Sequence, residues 1–341
     1  MANRLLVVVP PGSDAHDTGR GHPERIGRVD AVLAGIADAD LGDAVAFSDG
    51  RAATHAELVL VHDADYVAGL KSFADAGGGH LDADTVVAPG SFVAATRAAG
   101  GGLAAAEALR DGTAETAFVV ARPPGHHATR HRGQGFCLFN NVAVTAAALV
   151  ADGERVLIVD WDVHHGNGTQ DIFWDDDRVL YVSTHQHPAY PGTGQVDDLG
   201  GPGARGLTVN FPFPPGATGD VARRAINDVV APVAEKFAPT WVLISAGFDA
   251  HRADPLADLA WSAADYGLLA TRILELVPGG RTIAFLEGGY DLAALRASTA
   301  TTVAALAGAA MRAQPGEAPT SGGPGHDVVD RVARVLSDLV S

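Results

Sequence analysis

The sequence predicts an α/β fold built on a parallel sheet with helices on both faces. Three observations carry that expectation. Short runs rich in Val, Ile and Leu recur along the 341-residue chain. Ala-rich stretches of helical length separate many of them. Most of the runs are continuously apolar rather than alternating, as in strands covered on both sides.

Taken in order, the first strand is expected at residues 5–9, where Leu-Leu-Val-Val-Val is ended by Pro10. The next apolar runs fall at 117–121, 156–160, 179–183, 207–211, 241–245 and 282–286. Helices are expected between them at 91–109, 141–151, 220–237 and 263–277, Ala-rich stretches too long for strands. No repeat of fixed period occurs. One domain is expected over residues 1–312. A Gly/Pro-rich linker at 313–326 follows, then a last helix at 327–341, docked or loosely attached.

Bulk properties narrow the function. A composition of 47% hydrophobic and 19% charged residues supplies a large core. The net charge of −17 argues against a nucleic-acid partner, which requires a basic face, and gives cationic substrates a weak long-range attraction. No apolar stretch approaches the roughly 18 residues of a membrane span. The amino-terminal apolar run is too short for a signal peptide. Cys137 is the single cysteine, so no intrachain disulfide forms, and a cytoplasmic location is expected. A homo-oligomer is left open.

Chemistry collects at the ends of four strands. Residues 117–121 run into Arg122-Pro-Pro-Gly-His126-His127, and 156–159 run into Asp160-Trp-Asp162-Val-His164-His165. Residues 241–245 lead to Asp249, and 282–286 lead to Glu287-Gly-Gly-Tyr290. In open parallel sheets ligands sit outside the carboxyl ends of the strands, so these groups should gather on one edge. Side chains alternate in extended chain, which puts Asp160, Asp162 and His164 on one face and Trp161 and Val163 on the other. Asp162 and His164 can converge on one cation, with Asp249 as a third ligand from a neighbouring strand. Two carboxylates and an imidazole suit Zn²⁺ with a position left open for water, although iron or cobalt fits the same donors. His126 and His127 suit general acid/base work, with Asp160 and Asn167 as candidate partners. Two glycines precede Tyr290 and allow its phenol to reach a developing oxyanion. Together these groups describe metal-assisted hydrolysis of an amide or ester.

The segments RPPGHHA, GFCLFNNVAV, DWDVHHGNGTQ, YPGTG, SAGFDAHRADPL and LEGGYDL resemble the zinc-dependent histone deacetylase superfamily. The wording is closest to class II deacetylases and bacterial histone-deacetylase-like amidohydrolases. The matches span roughly residues 18–296 in the family's order. The resemblance implies the arginase/deacetylase fold, a single eight-stranded parallel sheet with helices on both faces. It implies Asp162, His164 and Asp249 as zinc ligands. His126 and His127 become the tandem catalytic histidines, paired with Asp160 and Asn167, with His127 as base and then acid. The family's class I branch has Asp where Asn167 stands. Tyr290 becomes the residue that polarises the substrate carbonyl, and its presence, where some class II members have His, favours an active enzyme.

The resemblance further implies one or two structural potassium ions. The first would use Asp160, Asp162, His164, Ser183 and Thr184, largely through backbone oxygens, and the second carbonyls near Phe173, Asp176 and Val179. Phe136 and Tyr190 match the aromatics walling an acyl-lysine tunnel, with core packing the plain alternative for Phe136. Gly135, Asp84 and Leu256 fall at substrate-binding positions on or near the tunnel's rim. His165, His185 and His187 are expected to be structural or rim residues, and Cys137 to be packed.

The expected activity is removal of acetyl or acyl groups from N-acyl-lysine or a similar amide by a metal-activated water. Two alternatives share the motifs: an acetylpolyamine amidohydrolase, and an inactive zinc protein that binds acylated partners. Both histidines and Tyr290 count against the second.

Overall fold

A computed structural model describes residues 5–277, 279, 281–312 and 316–339. Part of the expected linker (313–315) and the end of the expected last helix (340–341) lie outside the described residues. The strands are β1 (Leu5–Val8), β2 (Val45–Ser48), β3 (Gly79–His80), β4 (Val86–Val87), β5 (Thr116–Val119), β6 (Val156–Asp160), β7 (Val179–Gln186), β8 (Thr208–Phe213), β9 (Trp241–Ala246) and β10 (Thr282–Leu286). Eight form one parallel sheet in the order β2-β1-β5-β10-β9-β6-β7-β8, while β3 and β4 make a small antiparallel hairpin. The expected single eight-stranded parallel sheet is the observed architecture.

Seven of these eight strands are legible as apolar runs. The exception is β2, which carries no apolar run because Val45-Ala-Phe-Ser48 is short, lies at the sheet's edge and is half exposed. An edge strand needs no apolar coat on both faces. The carboxyl half of β7 is polar, Ser183-Thr-His-Gln186, yet fully buried, so its ladder with β8 continues to Gln186 and Phe213.

The sheet separates two apolar layers. On β1, Leu5 and Val7 face one side and Leu6 and Val8 the other; on β6, Leu157 and Val159 oppose Val156 and Ile158. One face is covered by the helices Gly27–Asp38, Ala263–Leu274 and Leu292–Leu306, the other by Ser91–Arg110 and Asn141–Ala151. The expected helix at 220–237 runs from Gly219 to Phe237 with a π-helical stretch at Ile226–Val230. The segment after residue 315 is held down: Glu317 accepts from Ala263 N at 2.8 Å, and Gly323 N donates to Thr218 Oγ1 at 2.8 Å. The final helix, His326–Asp338, is docked, burying Val328, Val329 and Val332 in the core.

The four strands that lead into polar clusters, β5, β10, β9 and β6, are consecutive in the sheet centre. All run parallel, so their carboxyl ends open on one edge and bring four separate sequence segments together. No helix of the described residues is long and apolar enough to cross a membrane.

Candidate active site

Trp161 and Val163 leave the end of β6 into the apolar core, which turns the intervening Asp162 and the following His164 outwards. The ligand atoms of Asp162, His164 and Asp249 lie within 4.8 Å of one another. His164 Nδ1 stands 3.2 Å from both Asp162 Oδ1 and Asp249 Oδ2. The remaining carboxylate oxygens are oriented by backbone donors: Gly288 N donates to Asp162 Oδ2 at 2.7 Å, and Val163 N to Asp249 Oδ1 at 2.9 Å. Glycine is required at the back of this group. A Cβ on Gly247 would lie 2.0 Å from Asp162 Oδ2, and one on Gly288 2.1 Å from Asp249 Oδ2.

Both carboxylates are buried, with 1% and 0% of their side chains exposed, so their repulsion needs a positive charge between them. In the protein alone a proton on His164 supplies it. Burial would lower the imidazole pKa, but the hydrogen bonds and charges of Asp162 and Asp249 outweigh it and raise it to about 10. A divalent cation on the same three donors would displace that proton, as metal binding at imidazole and carboxylate ligands requires. Two carboxylates, one imidazole and a lining of glycine backbone fit Zn²⁺ with an open position.

The tandem histidines are held differently. His126 Nδ1 pairs with Asp160 Oδ2 at 3.0 Å, and that oxygen also accepts from the Tyr181 hydroxyl at 3.2 Å. His127 Nδ1 lies 2.9 Å from Asn167 Oδ1, and Asn167 opens the helix Asn167–Phe173. The two rings are 4.0 Å apart between centroids. Burial disfavours a charge on His126, but Asp160 and Asp162 overcome it and raise its pKa to about 10. Burial and the neighbouring His126 and His164 push His127 well below the usual imidazole range. The two adjacent imidazoles are thus shifted in opposite directions, His126 towards its charged form and His127 towards its neutral one.

A cavity of about 310 Å³ opens above this group. His127, His164 and Tyr290 line it, as do the expected substrate residues Phe136, Gly135, Tyr190, Leu256 and Asp84. Tyr190 is half exposed and packs edge-on against His127 at 5.0 Å; Phe136 meets Tyr290 at 5.8 Å. Gly135 and Phe136 both take left-handed φ, +56° and +68°, in the tight turn that presents the Phe136 ring. A Cβ on Gly135 would lie 2.5 Å from the His127 ring. Burial raises the Tyr290 phenol well above its ordinary pKa, keeping it a protonated donor. A cavity of about 520 Å³ lies at the opposite end of β6, beside Arg155, and contains none of these residues.

The remaining expected residues lie further from the cavity. Ser183 on β7 is the register partner of Asp160, with Thr184 beside it. Phe173, Asp176 and Val179 form the turn into β7, where Asp176 is paired with Arg178 at 2.8 Å. His165 and His185 are buried, with their rings tilted to one another and their centroids 4.8 Å apart, and Cys137 is buried.

Three contributors carry no signal in the sequence that marks their role. Glu287 accepts from Gly125 N at 2.6 Å and from His126 N at 3.2 Å, so it sets the loop carrying the histidine pair. It stands inside a quoted motif, but nothing in the spacing predicts a backbone partner on another strand. His22 lines the cavity mouth, packed edge-on to Phe136 at 4.8 Å and bonded to Asp84 O at 2.9 Å. Arg28 is buried, donates to Gly289 O at 2.7 Å and to Glu287 O, and lies over the Tyr290 ring at 5.0 Å. A buried charge network of Arg28, Arg122 and His16 with Glu24 surrounds that contact.

Comparison with known proteins agrees with this arrangement. A histone deacetylase domain matches residues 22–306. The chain is 39% identical over 300 residues to a probable deacetylase of Archaeoglobus fulgidus, covering 86% of this chain and 83% of that protein. It is 38% identical over 245 residues to a histone deacetylase-like amidohydrolase of Pseudomonas aeruginosa, covering 70% and 64% of the two chains. The crystal structure of the HDA15 HD domain superposes with a TM-score of 0.90 at 35% identity, covering 98% of this chain and 95% of that one. The chain therefore belongs to the histone deacetylase family and is a deacetylase, a hydrolase of amide bonds.

Proposed function

We propose that the protein is a zinc-dependent amidohydrolase that removes acetyl or other acyl groups from N-acyl-lysine side chains or closely similar amides. The observation that carries this reading is the convergence of Asp162, His164 and Asp249 beside a cavity lined by Phe136 and Tyr190. Aromatic walls suit the methylene chain of an acylated lysine and exclude water along it.

Asp162, His164 and Asp249 would hold the ion, which when bound polarises the acyl carbonyl and acidifies a water. The His127 ring donates from Nδ1 to Asn167 Oδ1, which leaves Nε2 free as an acceptor. His127 takes the proton of the attacking water and then gives a proton to the leaving amine. The Tyr290 hydroxyl donates to the acyl oxygen as negative charge develops there. His126, held charged by Asp160, adds positive charge to the same region and keeps its neighbour neutral. The products are a carboxylate and a free amine.

Potassium is proposed behind this group, at Asp160, Asp162, His164, Ser183 and Thr184. Thr184 Oγ1 is buried without a hydrogen-bond partner among the described residues, which supports a further ligand there. Phe173, Asp176 and Val179 are the proposed carbonyl donors for a second ion. Acetylpolyamine hydrolysis remains the second reading because Asp84 lines the mouth, where a carboxylate would attract a polyamine ammonium.

Tyr290→Phe tests the mechanism. Losing the oxyanion donor should reduce kcat on an acetyl-lysine peptide by about 10²–10³-fold, with full zinc content. Near-normal turnover would remove Tyr290 from the chemistry.

A further inference from the structure

Beyond their last paired residues, Ala246 and Leu286, β9 and β10 lead into the two loops that carry Asp249 and Tyr290. Phe248 N donates to Gly288 O at 3.0 Å and links the loops once. A further link is a carboxylate that the reaction described above does not use. Asp254 is 7% exposed, and its oxygens face three backbone N–H groups. Oδ1 accepts from Leu256 N at 3.0 Å, while Oδ2 accepts from Tyr290 N at 2.6 Å and from Asp291 N at 3.3 Å. No cation pairs with it among the described residues. A buried carboxylate without a counter-ion is costly and persists where its hydrogen bonds are needed.

The turn Glu287–Tyr290 is thus gripped from two sides. Arg28 holds its carbonyls at Glu287 and Gly289, and Asp254 holds the amides of Tyr290 and Asp291. The two glycines between leave the turn little stiffness of its own. The same carboxylate fixes Leu256, which stands at the cavity mouth with Tyr290.

We propose that Asp254 is a positioning residue that sets the Tyr290 phenol against the acyl oxygen. It does not touch substrate; it acts through Tyr290, so the inference rests on the phenol being the oxyanion donor. A displacement of one ångström at such a donor costs about 10²-fold in rate.

The test is a double-mutant cycle on the zinc-loaded full-length enzyme with an acetyl-lysine peptide. Asp254→Asn keeps the shape but turns an NH₂ group towards backbone donors. In the wild-type background kcat should fall by about 10–10²-fold, with KM changed by less than about threefold and zinc content unchanged. In the Tyr290→Phe background the same substitution should cost less than about twofold, because the group it positions is already gone. Equal fold losses in the two backgrounds would overturn the proposal, as would loss of zinc, which would place Asp254 with the ligand loop instead. Near-normal turnover of Tyr290→Phe alone would overturn the donor reading itself, an outcome distinct from additive losses. Asp254→Ser, which keeps a shortened acceptor, is carried through the same cycle if Asp254→Asn does not fold.

Discussion

Adding one methyl group at Gly288 offers a sharp test of the proposed metal centre, because the glycine backbone closes its rear. An alanine Cβ at this position would lie 2.1 Å from Asp249 Oδ2 and 2.7 Å from Asp162 Oδ2, where ordinary contact begins at 3.4 Å. The Asp249 carboxylate must therefore withdraw by more than an ångström, or the Tyr290 turn must move. Metal–ligand distances tolerate about 0.2 Å. Disturbing groups that merely orient ligands costs about 10–100-fold in metal affinity; displacing a ligand should cost at least the upper figure, about 2.7 kcal/mol. Backbone strain adds little, since Gly288 is absent from the glycines with left-handed φ. Zinc per chain by elemental analysis, and affinity by chelator competition, provide the assay. Asp162→Ala, which deletes a ligand outright, sets the lower limit with neither zinc nor activity. Gly69→Ala, whose Cβ would meet nothing within 4 Å, is the control and should match wild type. A folded Gly288→Ala enzyme with both wild-type zinc affinity and wild-type kcat, showing that neither the carboxylates nor the Tyr290 turn had moved, would refute the assignment of Asp162 and Asp249 as ligands.

Other consequences are open to measurement. Leu256→Glu places a carboxylate at the cavity mouth and should raise kcat/KM for acetylated polyamines relative to acetyl-lysine peptides; if the unmodified enzyme already prefers polyamines, Leu256 is not the selectivity residue. Burial would raise the Glu24 carboxyl, but His16, Arg122 and Arg28 outweigh it and hold it at about 2 against an ordinary 4.5. That difference corresponds to about 3 kcal/mol of stability, fully present above pH 4.5 and lost as pH falls towards 2. The urea midpoint of wild type should therefore fall over that range more steeply than that of Glu24→Gln. The variant itself should be weaker at neutral pH by about 3–5 kcal/mol, because buried Arg28 and Arg122 lose their counter-charge. Identical pH slopes for the two proteins would exclude Glu24 as the source.

Which of these features a linear reading could reach follows from the range of the interactions involved. The central strands are visible because a strand buried on both faces is apolar at most of its positions, as Val156–Val159 and Trp241–Ile244 are. The convergence of polar residues is visible because a parallel sheet places all its carboxyl ends on one edge, so knowing where β5, β6, β9 and β10 stop suffices to gather His126, Asp162, Asp249 and Tyr290. Alternation around β6 separates Asp162 and His164 from Trp161 and Val163 without reference to the rest of the chain. The motifs and their order were enough to indicate the family.

Tertiary structure alone decided what depends on partners distant in the chain. Val45–Ser48 becomes a strand by pairing with β1, although its own composition asks for no buried sheet. The Gly/Pro-rich stretch has the composition of a linker, yet Glu317 and Thr320 fasten it to residues around 251–265. Glu287, Arg28 and Asp254 bond to backbone N–H and carbonyl groups on other segments, and every residue carries such groups, so no spacing rule identifies their partners. The opposite protonation of His126 and His127 has the same origin. Two adjacent identical side chains differ because the carboxylate of Asp160 faces one ring and offsets its burial, while the other, beside the uncharged amide of Asn167, is left to burial and to the charges of His126 and His164.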